Sequence, residues 1–370
     1  MRTARDILLW LVSTVLLLLI LPLLPLLLVI ETMARKKVWL RLALVILILA
    51  GGGGIMLYRS VMEPIGSAGA SYNIVIHPKD DAGDLRQRLA EAGLPVNRRL
   101  YNFFMSHTGA DKHLQPGRYH VPGGISHWEL AKFFRKTMPE LSRVTIPEGL
   151  TLKEIVPILV HEIPTDSNEL VKLLEDARFC EELNIPAPSF EGFLFPETYS
   201  FYPYQEPHEV VRTMVAMFRE KFTPEMEQRR QKLNRPLLEI VTLASMIEAE
   251  AAAGSERELI SSVFHNRLRQ GMKLQCDPTV IYALGGLDRP LLRDDLDYDS
   301  PYNTYLYSGL PPGPIGAPGL ASLHAALFPA TTDYYYFVAT GDGHHIFTST
   351  LAQHNQAVAR AKRMWRALRP

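Results

Sequence analysis

The sequence predicts an α+β protein with an N-terminal membrane anchor, small strand–helix modules, and a mixed, mainly helical domain carrying a C-terminal β-hairpin. Three observations support this. About the first sixty residues are oily, whereas the rest reads as soluble protein although the mean hydropathy is near zero. A phrase of strand, glycine turn and capped helix occurs twice. Helical patterning dominates from about Glu209 onward. At roughly 150 residues per domain, the 370 residues correspond to two or three domains. Lys+Arg and Asp+Glu balance at 39 each, so there is no general attraction to nucleic acid. With 47% hydrophobic and 21% charged residues, a disordered chain is excluded. Two cysteines, Cys180 and Cys276, are too few for a disulfide scaffold or a four-thiolate zinc site; they could form one bridge across a long loop, but nothing in the sequence requires it.

Residues 7–30 form an uncharged run long enough to span a bilayer, interrupted by Pro22 and Pro25. A second run, 42–58, follows the basic cluster Arg35, Lys36, Lys37 and Arg41 and contains Gly51-Gly52-Gly53-Gly54. Neither run ends in an A-x-A cleavage pattern, so a retained anchor over 33–58 is expected rather than a removed signal. Met33-Ala-Arg-Lys-Lys is itself a plausible start, with 1–32 an upstream extension. With one span or two, the basic cluster stays inside and the large domain is exported. The anchor would sit in the lipid of the inner (cytoplasmic) membrane.

Residues 59–71 read as a turn-rich linker, and Ser71-Tyr-Asn-Ile-Val-Ile-His77 as a strand. Residues 84–92 suit a helix with Leu85 and Leu89 on one face. Val121-Pro-Gly-Gly-Ile-Ser126 and Ile146-Pro-Glu-Gly-Leu-Thr151 then echo each other, and each ends in a capping box: Ser126 with Glu129, Thr151 with Glu154. Further helices are expected over 209–230, divided or kinked at Pro224, over 236–250, and over 255–270 behind a third capping box, Ser255 with Glu258. The stretch 309–319 holds too many glycines and prolines for regular structure. Residues 334–339 and 345–348 pair as a hairpin before a basic C-terminal helix. The domain bounds are thus 72–140 for the first soluble module and 141–370 for the second.

No phosphate loop, G-x-S-x-G or H-E-x-x-H motif is present. His344-His345 would alternate sides of a strand and, with His354, are read as polar hairpin residues rather than metal ligands. Lys273 lacks the phosphate cradle that a Schiff-base cofactor needs, so no cofactor or metal is called for. The informative segment is Leu243-Ala-Ser-Met-Ile-Glu-Ala-Glu250. Ile240, Leu243, Ala244 and Ile247 form an apolar stripe, and Glu248 stands on its flank at the helix end. Glu250 lies about 200° further round, so only one of the two can face the same site. A carboxyl beside an apolar surface is poorly solvated when charged, which favours its protonated, acid form. From spacing alone, a solvated helix-end charge is the stronger reading of Glu248, and no second carboxylate at matched spacing stands out.

The segment just quoted, followed by Ser255-Glu-Arg257, Val263-Phe-His-Asn-Arg-Leu268 and Gly271-Met-Lys-Leu-Gln-Cys-Asp-Pro-Thr-Val-Ile-Tyr282, resembles the membrane-anchored endolytic murein transglycosylases of the YceG-like family. Ile146-Pro-Glu-Gly149, Glu191-Gly-Phe-Leu-Phe-Pro-Glu-Thr-Tyr199, Tyr302-Asn-Thr-Tyr305, Gly309-Leu-Pro-Pro-Gly-Pro-Ile315 and Pro318-Gly319 extend the likeness in order. The resemblance implies a LysM-like module over 72–140 and cleavage of the MurNAc-β-1,4-GlcNAc bond within nascent peptidoglycan strands. The products would carry 1,6-anhydroMurNAc ends, and the enzyme would act as a terminase beside peptidoglycan synthases. It implies that Glu248 is the catalytic residue, and a chain that keeps glycan strands as its substrate. One departure is Ala251-Ala-Ala253, where the family usually carries a polar residue. Gln275, Asp277, Thr279, Asn303 and Tyr305 have the amide, hydroxyl and aromatic groups that hold sugars. Turn formation competes with that role for Asp277 and Asn303. Glu197 is a supporting carboxyl or a loop charge, and Glu256 and Arg257 read as helix-dipole and surface ion-pair residues. A non-catalytic glycan-binding scaffold and a hydrolase remain open alternatives.

Overall fold

The computed structural model describes residues 37–164, 167–251 and 253–368. The apolar run 7–30 and the Met33 start lie outside them. Two compact units divide the chain, one ending at Glu140 and the other beginning at Leu141. The fold is mixed α+β, mostly helical, with three two-stranded antiparallel sheets among the described residues.

The first unit begins with α1 (Lys37–Met62), which carries the second apolar run and its four glycines in one helix. Among the described residues it is the one helix long and apolar enough to cross a membrane. It continues past Tyr58, so four residues of the expected linker are helical. β1 (Ser71–Ile76) follows, then α2 (Ala82–Glu91), α3 (Arg98–Thr108), β2 (Gly117–Pro122) and α4 (His127–Lys136). β1 and β2 pair antiparallel from Ser71 opposite Pro122 to Ile76 opposite Gly117. Leu85 and Leu89 turn inward with Ile74, Ile76, Phe104 and Phe134, forming a core of the unit's own. The Ser126 box closes as expected: Glu129 N–H reaches Ser126 Oγ at 3.3 Å, and Ser126 N–H reaches Glu129 at 2.9 Å. A comparable box, Asp81 with Asp84, starts α2.

The second unit opens with β3 (Ser142–Thr145) and α5 (Leu152–Glu162), where Thr151 N–H donates to Glu154 at 2.9 Å. The two echoed phrases therefore fold alike locally yet belong to different units, and their strands pair with different partners. α6 (Ser167–Leu174) and α7 (Ala177–Glu182) lead to β4 (Thr198–Phe201), which pairs antiparallel with β3. The helix expected over 209–230 is divided into α8 (Pro207–Lys221) and α9 (Pro224–Leu233), because Pro224 starts a new helix capped by Thr223.

α10 (Leu237–Glu250) is the centre of this unit. Every residue from Ile240 through Ile247 is buried. The expected stripe is thus only one side of a helix surrounded by protein. α11 (Arg257–Arg269) is preceded by a short 3-10 turn, Gly254–Glu256, and its N-terminus has no side-chain cap, so the Ser255 box does not form. α12 (Asp277–Ala283) begins with Pro278 in its first turn, where the sequence suggested a turn between elements. After the irregular stretch 309–319 come α13 (Leu320–Leu327), β5 (Tyr336–Ala339), β6 (His345–Thr348) and α14 (Leu351–Leu368). β5 and β6 pair antiparallel. Asn266 donates to the carbonyls of Thr332 and Tyr334, and Arg267 to those of Tyr335 and Leu274. The Asn266-Arg267 pair of the quoted motif thereby fixes the approach to β5 and the loop before α12.

Candidate active site

The glycine/proline-rich stretch is irregular because it is threaded through the unit's interior. Ile315 N–H donates to the buried Ser245 Oγ of α10 at 3.0 Å. Ala317 exchanges backbone hydrogen bonds with the 149–150 turn: Gly149 N–H to Ala317 O at 2.7 Å, and Ala317 N–H to Leu150 O at 2.8 Å. A Cβ at Gly316 would stand 2.5 Å from Gly149 O, and one at Gly192 2.5 Å from Pro314 Cβ. Three motifs distant in sequence, around 149, 192 and 315, therefore meet where backbones touch, and glycine is the residue that permits it.

This threading carries Glu148 and Gly319 to the C-terminal end of α10, where Glu248 emerges. One Glu248 oxygen accepts from Arg257 Nη2 at 2.8 Å and the other from Gly319 N–H at 2.9 Å. Glu148 approaches the same Arg257 nitrogen at 3.8 Å. Arg257 is itself steadied by Nε donating to Ser322 Oγ of α13 at 3.0 Å. The Glu248 side chain is 7% exposed and that of Glu148 51%. Burial, then the nearby charge of Glu248, pushes the Glu148 carboxyl above its ordinary value, while Arg257 pulls it back.

The sequence reading of Glu248 anticipated an apolar flank, which Ala244 and Ile247 provide. It did not anticipate the guanidinium. The sequence suggests only a surface ion pair for Arg257 and no role for Glu148, although both sit inside quoted motifs, Ser255-Glu-Arg257 and Ile146-Pro-Glu-Gly149. A basic residue nine positions beyond a helix-end glutamate is a weak signal until an intervening turn reverses the chain.

Glu250 faces elsewhere, as the angular argument required. It interacts with the Cys276 thiol and the charges of Asp277 and Arg267, and burial pushes it up to about 7. Tyr305 donates its hydroxyl to Asp277, so these two belong to the Glu250 side. Gln275 is exposed in a left-handed conformation with φ 50°. Thr279 is buried and spends its hydroxyl on Cys276 O and Thr304. Asn303 is buried too: its amide donates to Leu296 O and Tyr298 O, and its oxygen accepts from Tyr305 N–H. Both organise the loops around α12. Glu197 pairs with Lys221 at 3.3 Å, and hydrogen bonds from Thr198 N–H and Lys221 hold its carboxyl below its ordinary value. Both Cys180 and Cys276 are free and buried.

Glu256 holds more than a dipole position. It takes hydrogen bonds from the ring nitrogens of His345 at 2.7 Å and His344 at 3.3 Å, which ties β6 to the start of α11. The two histidines converge on one carboxylate because His344 still belongs to the turn before the strand. Among the described residues no cluster of histidine, cysteine and carboxylate groups is arranged to hold a metal.

Residues 74–360 match the YceG-like family. The chain belongs to the YceG-like family. A Bacillus subtilis relative named endolytic murein transglycosylase is 32% identical over 333 residues, covering 82% of this chain and 89% of that protein. A Streptococcus pneumoniae protein of the same name is 29% identical over 353 residues, covering 85% of this chain but 64% of its own longer sequence. The crystal structure of a YceG-like protein from Listeria monocytogenes superposes with a TM-score of 0.55 at 30% identity, covering 77% of this chain and 98% of that one.

Proposed function

We propose that this chain is a membrane-anchored lytic endotransglycosylase. It cleaves the MurNAc-β-1,4-GlcNAc bond within nascent peptidoglycan strands and leaves 1,6-anhydroMurNAc ends. The observation that carries the reading is Glu248, set at the end of a buried helix in a family whose named relatives are endolytic murein transglycosylases.

Most glycosidases need a second carboxylate to activate water or to attack the sugar. A lytic transglycosylase uses the sugar's own C6 hydroxyl instead. Protonated Glu248 gives its proton to the leaving glycosidic oxygen as the C1–O4 bond breaks. The resulting carboxylate takes the proton from O6 as the O6–C1 bond forms, so the residue ends as it began. Because the nucleophile is already part of the substrate, its effective concentration is high, and one proton-transfer group suffices. No cofactor is called for.

The apolar helix α1 suits a retained anchor, with Lys37 and Arg41 on the cytoplasmic side and the second unit outside the inner membrane. The β1–α2–α3–β2 unit suits a LysM-like glycan-binding module over 72–140, which would hold a strand close to peptidoglycan synthases.

The test is digestion of isolated glycan strands by the wild-type chain and by Glu248→Gln, with products read by mass spectrometry. Products one water lighter than hydrolytic fragments, and their loss in the variant, support the reading. Unchanged release by the variant refutes the role of Glu248. No release by either protein leaves only a binding scaffold.

A further inference from the structure

Resting on that reading, Glu248 must at one stage hold a proton, yet it lies 2.8 Å from a guanidinium that has no use for a neutral carboxyl. We propose that Glu148 is a positioning residue of the reaction: it is the alternative carboxylate partner of Arg257, accepting the guanidinium whenever Glu248 is protonated.

Four features of the site fit this exchange. Arg257 is pinned at Nε by Ser322, so its Nη2 end is the part free to choose between carboxylates. The two candidates stand 2.8 and 3.8 Å from that one nitrogen, and a small rotation exchanges them. Glu148, 51% exposed on its side chain, has room to move, whereas Glu248, at 7%, does not. Finally, Gly319 serves both: its N–H holds Glu248, while its Cα lies against the Glu148 carboxylate so closely that a Cβ there would overlap it. Glycine at 319 is not needed for backbone freedom, since φ is −74°. It is needed to keep Glu148 near Arg257.

The charged groups acting on Glu148 are Glu248 from α10 and Arg257 from α11, beside the amide of Gly319, which precedes α13, and Ser322 of α13. With both carboxylates ionised, one guanidinium faces two negative charges, and the charge of Glu248 adds to burial in raising Glu148's tendency to bind a proton. A proton on Glu248 removes its push on Glu148, which then becomes the better partner for Arg257. Arg257 thus turns to Glu148 while Glu248 carries the proton, and returns to Glu248 when that proton has gone to the leaving oxygen. No net proton is consumed over the cycle, because the C6 hydroxyl returns to Glu248 the proton given to the leaving oxygen.

The test is the pH dependence of anhydro-product formation by the full chain in detergent at saturating glycan strands. In Glu148→Gln, Arg257 has no alternative carboxylate partner and stays on Glu248 in place of the proton. The high-pH limb of the turnover profile should move to lower pH by about one unit, costing about tenfold in rate on that limb, with KM within about twofold. Gly319→Ala, which displaces the Glu148 carboxylate without removing it, should move the limb the same way, and Glu148→Asp should restore part of it. A uniform fall in rate at every pH, with the limb unmoved, would make Glu148 merely structural and overturn the proposal. Unchanged profiles in both variants would overturn it as well. Glu248→Gln is run alongside. If that variant makes anhydro products normally, the assignment of Glu248 fails and this proposal with it. If it is inactive while the Glu148→Gln limb stays put, only this proposal fails.

Discussion

Replacing Glu191 by Gln should make the protein's stability less sensitive to pH. Glu191 opens the 191–199 motif and is 8% exposed. Its oxygens accept from Leu152 N–H at 3.2 and 3.3 Å and from the Tyr282 hydroxyl at 3.1 Å. Burial outweighs these donors and pushes the carboxyl from 4.5 up to about 7. The folded state therefore binds a proton more tightly than the unfolded chain. That contribution is fully present below pH 4.5 and is lost as pH rises through about 7. At about 1.4 kcal/mol per unit, the gap corresponds to about 3 kcal/mol of stability forfeited across the window. Glutamine retains the size and an acceptor for Leu152 but cannot ionise. Urea unfolding followed by circular dichroism, at several pH values from about 5 to 8, should show the variant gaining on the wild type by up to about 3 kcal/mol as pH rises. Glu250, also pushed up to about 7, contributes its own slope to both proteins and cancels in the difference. A wild-type-minus-variant difference that stays constant with pH would refute the reasoning.

Other substitutions probe the threading that brings the site together. Ser245→Ala removes the acceptor of the buried Ile315 N–H, so about 2 kcal/mol should be lost in chemical unfolding, with turnover falling because the same stretch carries Gly319. Gly192→Ala adds a Cβ 2.5 Å from Pro314 at a φ of +80° and should cost about 3 kcal/mol in the same assay. Ser126→Ala breaks the capping box of α4 and should lower stability by about 1 kcal/mol while leaving the second unit's chemistry untouched.

Local signals in the sequence were informative where one residue's chemistry decides the outcome. The boxes at Ser126 and Thr151, the division at Pro224 and the inward pair Leu85 and Leu89 are all short-range effects, and they fold as the spacing indicates. The Ser255 box failed for a tertiary reason: Glu256 is drawn to His344 and His345, and the chain enters α11 through a 3-10 turn instead. The all-round burial of α10 was hidden because Thr242 and Ser245 look like an exposed face, yet their hydroxyls are spent on Leu238 O and Thr242 O inside the protein. Glu248 was legible as a helix-end carboxyl on an apolar border. Its partners were not, because Arg257, Glu148 and Gly319 reach it through a reversal after α10, a turn after β3 and an irregular stretch, none of which has a periodicity. The amides and hydroxyls at Thr279 and Asn303 show the converse limit: residue types suited to sugars are equally suited to tying loops together, and here their hydrogen bonds are made within the protein.

The claim on which the account depends is that the substrate's own hydroxyl, not water, closes the bond that Glu248 helps to open. Digesting glycan strands in water enriched in the heavy oxygen isotope tests it directly. The account predicts new muramyl ends that carry no heavy oxygen, and none formed by Glu248→Gln. Heavy oxygen at the newly formed C1 end of the products would contradict it.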